Sequence, residues 1–509
     1  MTQAQTSVGS ASGWITRVLS AVNGMLQNPF QTLVALCTVQ VFFWTLLPAL
    51  VDTTPPADVV EGYMWGREWL LMSYKHPQFS CWMLELGRLL TGSTRWPGFL
   101  IGQISTCIAL IIIYLHARDL LGTRRALASV LLLPTIFFFN SATQQYNHDL
   151  AQIPFWAAIV WALWRAVETN RLVWWLALGF AAGLGLHAKF STAILIAFAA
   201  VWILQDLKAR SRLLTFAPWA GLAVFLALAV PLALALAKVD FMPLTYATAR
   251  ASWIEGHRSR FYFIGVQIAA HAGLFIALFA SGLLRLRSTA TSSVEWPEID
   301  PRAFRYLLWF AVGPAGTALA VSPFLGMGEA WATPMFNLSS VLAVALLGAR
   351  LTDRAMLRIA ISSLAITILT STFYAGNVWV QREVKGNIRN TVWPKQEMSD
   401  RMQAIWHSAA HLPLRIVGGG NWPAMVVGVG AGDVPSIFTD LDMKHAPWIT
   451  PERLAREGML LMWQEGAKPD TVTPWLRGRE VRSERFTWSP KAPPIVIDYV
   501  VVPPAGAQP

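Results

Sequence analysis

PGFLIGQISTCIALIIIYLHARDLLGTRR, residues 97–125, decides the fold class of this chain. Its first 21 residues contain no Asp, Glu, Lys or Arg, and Arg118, Arg124 and Arg125 follow directly. A helix of about 20 apolar residues spans the hydrocarbon core of a bilayer, and basic residues concentrate in cytoplasmic loops. The stretch therefore predicts a membrane-spanning helix that ends on the cytoplasmic side.

The same pattern recurs along the chain. Of its 509 residues, 54% are hydrophobic and 14% are charged, whereas a soluble domain averages about 25% charged residues. We therefore predict an all-α polytopic membrane protein with about eleven spans. The predicted spans are residues 30–50, 97–117, 126–141, 149–168, 172–188, 190–205, 213–237, 261–285, 303–321, 332–350 and 355–375.

The net charge of +11 comes from short basic clusters between the apolar blocks. Membrane topology explains such clusters better than nucleic-acid binding does, so no nucleic-acid partner is predicted. The three cysteines, Cys37, Cys81 and Cys107, do not have the spacing of metal ligands. GxxxxGK[ST], GxSxG and HExxH motifs are also absent from the sequence. The sequence therefore predicts no metal ligand and identifies no cofactor, and a divalent cation is left as an open alternative.

The basic loops predict the orientation. They alternate with the other loops, and the positive-inside rule places them in the cytoplasm. We expect a bacterial inner-membrane protein with residues 1–28 as a cytoplasmic tail, 29–378 as the membrane domain and 379–509 as a periplasmic domain. Residues 51–96 form an external loop of this membrane domain. The loops predicted as cytoplasmic are 118–125, 165–171, 208–212, 285–287 and 350–358.

The two external regions contain recognisable local patterns. In the loop, Trp65, Trp69, Trp82 and Trp96 suggest helices anchored at the membrane interface. In the tail, short apolar runs predict strands and residues 450–464 predict a capped amphipathic helix. The tail is therefore expected to be a small α/β domain. The predicted strands are LRIVGGG (414–420), AMVVGVG (424–430) and PIVIDYVVV (494–502).

Charged residues in the first external loop suggest a catalytic site. Asp52, Asp58 and Glu61 are carboxylates that could accept a proton from an attacking hydroxyl, and Lys75 and His76 could hold a phosphate leaving group. Alternatively, these side chains simply face water in a hydrated loop.

Further candidates stand at the external ends of later spans. Asn147, His148 and Asp149 precede an apolar block, where an acid is costly unless it faces a polar cavity, although Asn147 also suits a helix N-cap. Lys189 lies in the hairpin GLGLHAKFS, where it could meet a lipid phosphate or only extend to the interface.

Two more external segments complete the candidate set. Arg258 and Arg260 suit a phosphate headgroup, although they could equally anchor the span that follows. Glu329, next to the aromatic Trp331, could border a sugar pocket.

Four motifs carry a resemblance to a known family. DVVEGYMWGREW (58–69) followed by YKHPQFSCWML (74–84), YNHDLAQIPFW (146–156), GLGLHAKFS (183–191) and VDFMPLTYATAR (239–250) resemble bacterial glycosyltransferase family 39. That family includes the protein mannosyltransferases and aminoarabinose transferases of the GT-C fold. The resemblance is closest to the rhizobial lipid galacturonosyltransferases.

The resemblance implies a polyprenyl-phosphate-linked sugar donor, inversion at the anomeric carbon and an acidic base in the first loop. The family usually has an adjacent Asp-Glu pair there, whereas in this chain two residues stand between Asp58 and Glu61, with Asp52 upstream. The resemblance also implies that Lys75 or His76 contacts the donor phosphate.

We therefore expect a glycosyltransferase that acts at the periplasmic face. Its partners would be a polyprenyl-phosphate-linked sugar, membrane lipids and an acceptor that is lipid A or its core, another lipid, a polysaccharide or a protein. A transporter or flippase for a lipid or a sugar-lipid is the alternative from another class, and a membrane-anchored scaffold is a third.

Overall fold

A computed structural model describes residues 24–284, 298–347 and 351–505. Most of the predicted tail at 1–28 and the basic residues at 285–287 and 350 lie outside the described residues. The helices that follow are labelled in chain order. They are α1 Pro29–Val51, α2 Ala57–Gly66, α3 Phe79–Thr91, α4 Pro97–Leu121, α5 Thr123–Leu132, α6 His148–Thr169, α7 Leu172–Ala188, α8 Thr192–Gln205, α9 Leu207–Arg212, α10 Phe216–Lys238, α11 Met242–His257, α12 Tyr262–Ser281, α13 Pro301–Val321, α14 Ser339–Leu347, α15 Asp353–Trp379, α16 Lys395–Ala410, α17 Asn421–Gly430 and α18 Pro451–Glu457.

The apolar helices make this a multi-pass membrane protein. Within the described residues, each of the eleven predicted spans coincides with helical structure, and seven are single helices long and apolar enough to cross a bilayer. Two others are helix pairs bent at a break, by 90° between Thr135 and Phe137 and by 49° between Phe336 and Ser339. The remaining two, α7 and α8, have only 17 and 14 residues. The count of eleven therefore stays a prediction.

Ion pairs join the described residues of the predicted cytoplasmic loops at one end of the helix bundle. Arg302 donates hydrogen bonds to Asp206 and Glu168, and the Nζ atom of Lys208 lies 2.7 Å from Glu168. These ion pairs join the ends of α6, α8 and α13, which are far apart in the sequence. The structure thus groups loops that the charge pattern placed on the same side.

The loop at residues 51–96 folds over the opposite end of the bundle. It contains α2 and α3, and Gly66 of α2 lies against the backbone of Cys81 in α3. α2 is mostly buried rather than interfacial, and Trp65 is only 2% exposed. The prediction of Trp65 as a membrane anchor is therefore wrong, because this side chain packs inside the protein, whereas Trp69 and Trp96 are exposed.

The C-terminal region is a small α/β domain, as predicted. Its five strands form a mixed sheet in the order β2-β1-β3-β5-β4, with β1 parallel to β2 and β3, and β5 antiparallel to β3 and β4. The strands are β1 Ile416–Gly419, β2 Ser436–Phe438, β3 Met459–Gln464, β4 Arg482–Phe486 and β5 Ile495–Val502.

Two local predictions in this domain are wrong. AMVVGVG belongs to helix α17, which has Pro423 in its first turn and whose Gly428 packs closely on Met64. Residues 450–464 are not one helix, because Gly458 has a positive φ of 65° and ends α18 before strand β3 begins. A buried apolar run has no polar face, so hydrophobicity alone cannot distinguish a helix from a strand.

One continuous core joins the loop, the bundle and the sheet domain. Tyr63 and Met64 of α2 belong to the same buried cluster as Met402 and Trp406 of α16. The loop is therefore held from both sides, which fixes the position of the charged residues that it carries.

Candidate active site

A cavity of about 680 Å³ lies where α2, the start of α6, α11 and residues 327–335 meet. Ten of the twelve candidate residues line it, so the predicted constellation is brought together in space. The ten residues are Asp58, Glu61, Lys75, His76, Asn147, His148, Asp149, Lys189, Arg258 and Glu329.

Asp58 presents its carboxylate to this cavity. Its Oδ2 atom accepts a hydrogen bond of 2.9 Å from the Nδ2 atom of Asn147. Asn147 is itself fixed, because its side chain caps α6 by accepting from the backbone N–H groups of Asp149 and Leu150. The N-cap alternative for Asn147 is thus correct, and the same residue also orients Asp58. Within the described residues Asp58 has no ion-pair partner.

Glu61, one helical turn further along α2, is paired with Lys75. Their Oε1 and Nζ atoms are 2.6 Å apart. The ammonium group also lies over three aromatic rings, those of Trp65, Tyr74 and Tyr246, at 5.3–5.5 Å from the ring centroids. Burial alone would lower the pKa of Lys75, but the attraction of Glu61 outweighs it and raises that pKa. Lys75 is therefore held positively charged.

A second ion pair forms the far wall. The Nζ atom of Lys189 lies 2.5 Å from Oδ1 of Asp149, and Trp331 lies beneath the ammonium at 5.8 Å. The pair joins the start of α6 to the hairpin between α7 and α8. Because each charge has a partner, the cost of placing both beside the apolar bundle is reduced.

The cavity also contains two arginines that lack an acidic partner among the described residues. Arg250 stacks on Trp253 at 4.5 Å, and Arg258 stacks on Tyr262 at 4.7 Å. The hydroxyl of Tyr262 donates to Oε2 of Glu329 over 2.8 Å. Both guanidinium groups remain able to bind an anion.

Two histidines lie between the charged pairs. The rings of His76 and His148 are 4.5 Å apart, and Nδ1 of His148 is 2.8 Å from the hydroxyl of Ser80. Burial, assisted by the nearby His148, Lys189 and Lys75, lowers the pKa of His76 well below its usual value. His76 is therefore neutral at neutral pH, and it would meet a phosphate as a hydrogen-bonding group rather than as a cation.

Two candidates lie away from the cavity. Asp52 is buried at the end of α1, where its Oδ2 atom accepts 2.7 Å from the hydroxyl of Tyr374. Arg260 borders only a small adjacent hollow that it shares with Arg258. Position in the external loops suggested both residues, but burial separates Asp52 from the other candidates, and Arg260 is an exposed residue that does not line the cavity.

A cluster of residues in the C-terminal domain packs against Tyr74, next to the residues that line the cavity. The sequence did not predict this cluster. His445 stacks on Tyr74 with ring centroids 4.0 Å apart, and its Nδ1 lies 2.7 Å from Oδ2 of Asp440. Asn421 and Asp440 form two reciprocal hydrogen bonds. Asp440 has a positive φ of 55°, a strained conformation for a residue other than glycine. No short motif signals this cluster, because its residues are spread over three segments.

In the described part of the chain, no group of three or more His, Cys, Asp or Glu side chains is arranged to hold a metal ion. Such a group consists of protein side chains and does not include metal-binding atoms that a substrate would contribute.

Comparison with known proteins places this site in a family context. Residues 75–234 match the sequence profile of the dolichyl-phosphate-mannose-protein mannosyltransferase family. An undecaprenyl phosphate-alpha-4-amino-4-deoxy-L-arabinose arabinosyl transferase of Pseudomonas aeruginosa (strain LESB58) is 26% identical over 265 residues, which cover 50% of this chain and 46% of that protein. A transferase of the same description from Pseudomonas fluorescens (strain Pf0-1) is 25% identical, covering 57% and 51%.

Solved structures extend the likeness to nearly the whole chain. Apo ArnT from Cupriavidus metallidurans superposes with a TM-score of 0.62 at 14% identity, over 96% of this chain and 98% of that one. The same protein bound to undecaprenyl phosphate gives a TM-score of 0.60 over 91% and 97%. The predicted resemblance to the family 39 glycosyltransferases is therefore confirmed.

The structural likeness and the sequence likeness cover different parts of the chain. The structural likeness, at low identity, shows the fold, which is the GT-C arrangement that the motifs predicted. The chain spans about half the length of the curated relatives that it matches in sequence. The segment shared with the family 39 profile begins at Lys75 and includes Asp149 and Lys189, so part of the cavity lies within it.

Proposed function

We propose that the chain is an inverting glycosyltransferase that moves a sugar from a polyprenyl-phosphate donor to an envelope acceptor. One observation carries the proposal: Asp58 shares one cavity with Arg250 and Arg258, and none of the three has an ion-pair partner among the described residues. Proton removal from an acceptor and stabilisation of a departing phosphate need these two kinds of group side by side.

Asp58 is the base that the geometry favours. Its carboxylate faces the cavity and holds one hydrogen bond from Asn147, which leaves other lone pairs for an acceptor hydroxyl. Glu61 is a weaker candidate because its carboxylate is committed to Lys75. In the proposed step the acceptor oxygen bonds to C1 of the sugar as the bond from C1 to the phosphate oxygen breaks. The hydroxyl proton passes to Asp58, and the lipid phosphate leaves.

The basic residues would hold the phosphate. Arg250 and Arg258 can each offer paired N–H donors, and Lys75 and Lys189 have donors left after their ion pairs. Leu244 and Trp253 line the cavity and are 48% and 45% exposed, which provides an apolar border for a lipid chain. The similar ArnT structure contains undecaprenyl phosphate, which supports a donor of this class.

We further propose that the cavity and the sheet domain face the periplasm of a bacterial inner membrane, with the N-terminus in the cytoplasm. The basic loops gathered at the opposite end by Arg302, Lys208 and Arg124 support this orientation through the positive-inside rule. The acceptor would then be a lipid A or core group, another lipid, a polysaccharide or a protein at that face.

The test is transfer by purified protein in liposomes that contain a radiolabelled undecaprenyl-phosphate sugar and envelope lipids. We expect a labelled acceptor and equimolar free undecaprenyl phosphate. Asp58→Asn should lower kcat by about 10²-fold or more while donor binding persists. The matched control is Asp240→Asn, which changes an exposed aspartate outside the cavity. Comparing Mg²⁺ with EDTA in this assay tests the divalent cation.

The rival function has a distinct signature in the same assay. A flippase would move the labelled lipid between leaflets without breaking the sugar–phosphate bond. Movement without release of undecaprenyl phosphate, or full transfer by Asp58→Asn, would overturn the proposed activity or the proposed base.

A further inference from the structure

A second cavity, of about 620 Å³, lies between the loop at residues 51–96 and the C-terminal domain. It shares no lining residue with the first cavity. Four basic side chains and one acidic side chain, Glu397, line it, and the basic ones are Arg67, Arg88, Arg95 and Lys395. We call this second cavity the basic cleft.

Lys395 is the unusual member of the cleft. It is only 6% exposed, and its Nζ atom donates one hydrogen bond, of 3.0 Å, to the hydroxyl of Thr94. No carboxylate in the described part of the chain lies within ion-pair distance of it. Burial, together with Arg95 and Arg67, lowers the pKa of Lys395 to about 8. A buried ammonium with one neutral partner is costly unless an anion accompanies it.

The other three basic residues differ in the hydrogen bonds and ion pairs that they already form. Arg88 is paired with Glu85, with N–O distances of 2.9 and 2.5 Å. Arg67 donates to the carbonyl oxygens of Gly428 and Pro435, but its buried Nε atom has no hydrogen-bond partner among the described residues. Arg95 is exposed at the rim, where no carboxylate of the described chain contacts its guanidinium.

Helix capping is a simpler explanation, but it accounts for only part of the cleft. The last turn of α17 ends here, and basic groups are favourable near such carbonyl groups. Three of its last carbonyl oxygens already accept hydrogen bonds, since Arg67 donates to Gly428, Thr94 to Val429 and Ser399 to Val427. Capping therefore explains Arg67, whereas Lys395 and Arg95 contact none of these carbonyl groups.

We propose that the basic cleft is an anion site that binds a phosphate group, carried either by a lipid or glycan headgroup or free in solution. The phosphate would accept from Lys395 and from Nε of Arg67 in the interior, and from Arg95 at the rim. A cavity of about 620 Å³ has room for the headgroup that carries it. The site is separate from the proposed sugar-transfer cavity and does not depend on transferase activity.

The first test is calorimetric titration of the full-length protein in detergent with inorganic phosphate and with pyrophosphate, at constant ionic strength. Arg95→Gln and Lys395→Gln should each weaken the cleft's affinity by roughly tenfold, the loss of one charge-assisted hydrogen bond. Lys468→Gln, at an exposed lysine far along the chain from the cleft residues, is the control and should leave the affinity unchanged.

A second variant separates this site from the first cavity, whose arginines would also attract phosphate. Arg258→Gln should not change the phosphate affinity of the basic cleft, whereas Arg95→Gln should weaken it. If Arg258→Gln removes all phosphate binding and Arg95→Gln none, the basic cleft is not an anion site, and the proposed donor cavity is unaffected by that failure.

Thermal unfolding without any anion distinguishes a ligand site from a structural one. Lys395→Met should not lower the Tm of the anion-free protein, because the variant removes a buried charge that lacks a counter-ion. A clear fall in Tm, with unchanged phosphate affinity in Arg95→Gln, would mean that Lys395 serves packing alone.

The source of the phosphate is resolved by nanodiscs of phosphatidylcholine with and without phosphatidic acid. A rise in Tm with phosphatidic acid that Arg95→Gln abolishes identifies a lipid-borne phosphate. A response to inorganic phosphate alone identifies a free anion. If neither probe gives a response that depends on Arg95, the proposal is overturned.

Discussion

Asp52 and Asp58 are six residues apart in the same loop, yet their surroundings differ. Asp58 faces the cavity and is exposed, whereas Asp52 is buried beside Tyr374. Burial raises the pKa of Asp52 from 3.8 to about 7, despite the hydrogen bond from Tyr374. Their positions in the sequence suggested the same role for both residues. The packing around them shows that Asp58 is a candidate base and that Asp52 is a structural acid.

Asp52 should make stability depend on pH. Because its pKa is higher in the folded state, the folded protein binds more protons than the unfolded chain between about pH 4 and pH 7. This group's contribution to stability is thus largest below about pH 4 and is lost as the pH rises to about 7. Asp52→Asn should flatten that part of the profile and raise Tm at pH 8. Thermal melts across pH, with exposed Asp470→Asn as control, measure the effect; an unchanged profile would contradict it.

Glu61 should affect donor binding more than chemistry. In Glu61→Gln the ammonium of Lys75 loses its only carboxylate partner among the described residues and the charge that holds it over the aromatic rings. We expect KM for the donor to change several-fold while kcat falls much less than in Asp58→Asn. Steady-state kinetics of both variants provide the comparison. A kcat loss in Glu61→Gln equal to or larger than that of Asp58→Asn would make Glu61 the base.

At the scale of elements, long apolar helices were predictable and buried short segments were not. α1, α4 and α10 follow from length and apolarity alone. α17 and β3 are both short and apolar, but one is a helix and the other a strand, because the sheet accepts β3 between β1 and β5. Whether such a segment forms a helix or a strand is therefore determined by its pairing partners, which lie far away in the sequence.

The contact between α2 and α3 should tolerate no extra atom. A Cβ at Gly66 would lie 2.3 Å from the carbonyl oxygen of Cys81 and 2.9 Å from Cβ of Glu85. Gly66→Ala should therefore destabilise the protein by about 1–3 kcal/mol and displace the loop that carries Asp58. Gly265→Ala, at a helical glycine with nothing within 4 Å, is the matched control. Equal melting temperatures for the two variants would show that α2 and α3 can separate at no cost.

The sheet domain should influence the cavity through one aromatic stack. His445 packs flat on Tyr74, whose ring in turn lies beneath Lys75. His445→Ala should weaken donor binding by changing the position of Lys75, whereas His445→Phe should restore most of it by keeping the stack. The measurement is KM against kcat for both variants. If His445→Phe is as impaired as His445→Ala, the hydrogen bond to Asp440 matters and the stack does not.

At the scale of the molecule, charge predicts the orientation of the chain. Lys208 belongs to the basic end and Lys444 to the sheet domain, so the two residues should lie on opposite sides of the membrane. In a variant without Cys37, Cys81 and Cys107, a cysteine at 444 should react with an impermeant maleimide from outside intact spheroplasts. A cysteine at 208 should react only in inverted vesicles. Labelling of both from one side would contradict the proposed topology.

Chemistry that is concentrated in short motifs could be predicted from the sequence. Asp58, Glu61 and Asn147 lie in two such motifs, and the structure brings these residues into one cavity. A site assembled from distant single residues could not be predicted, as with His445 behind Tyr74 or Lys395 beside Thr94. A lone histidine or lysine in a soluble segment has no local pattern that distinguishes it from ordinary surface residues.

Helix α2 carries Asp58 near its first turn and is followed at its other end by Arg67 in the basic cleft. The two residues are nine positions apart along this helix, a rise of roughly 14 Å. A molecule anchored through a phosphate at one end and reacting at the other would have to bridge that length. The rigid helix would then act as a ruler, selecting acceptors by the distance between their charge and their reactive hydroxyl.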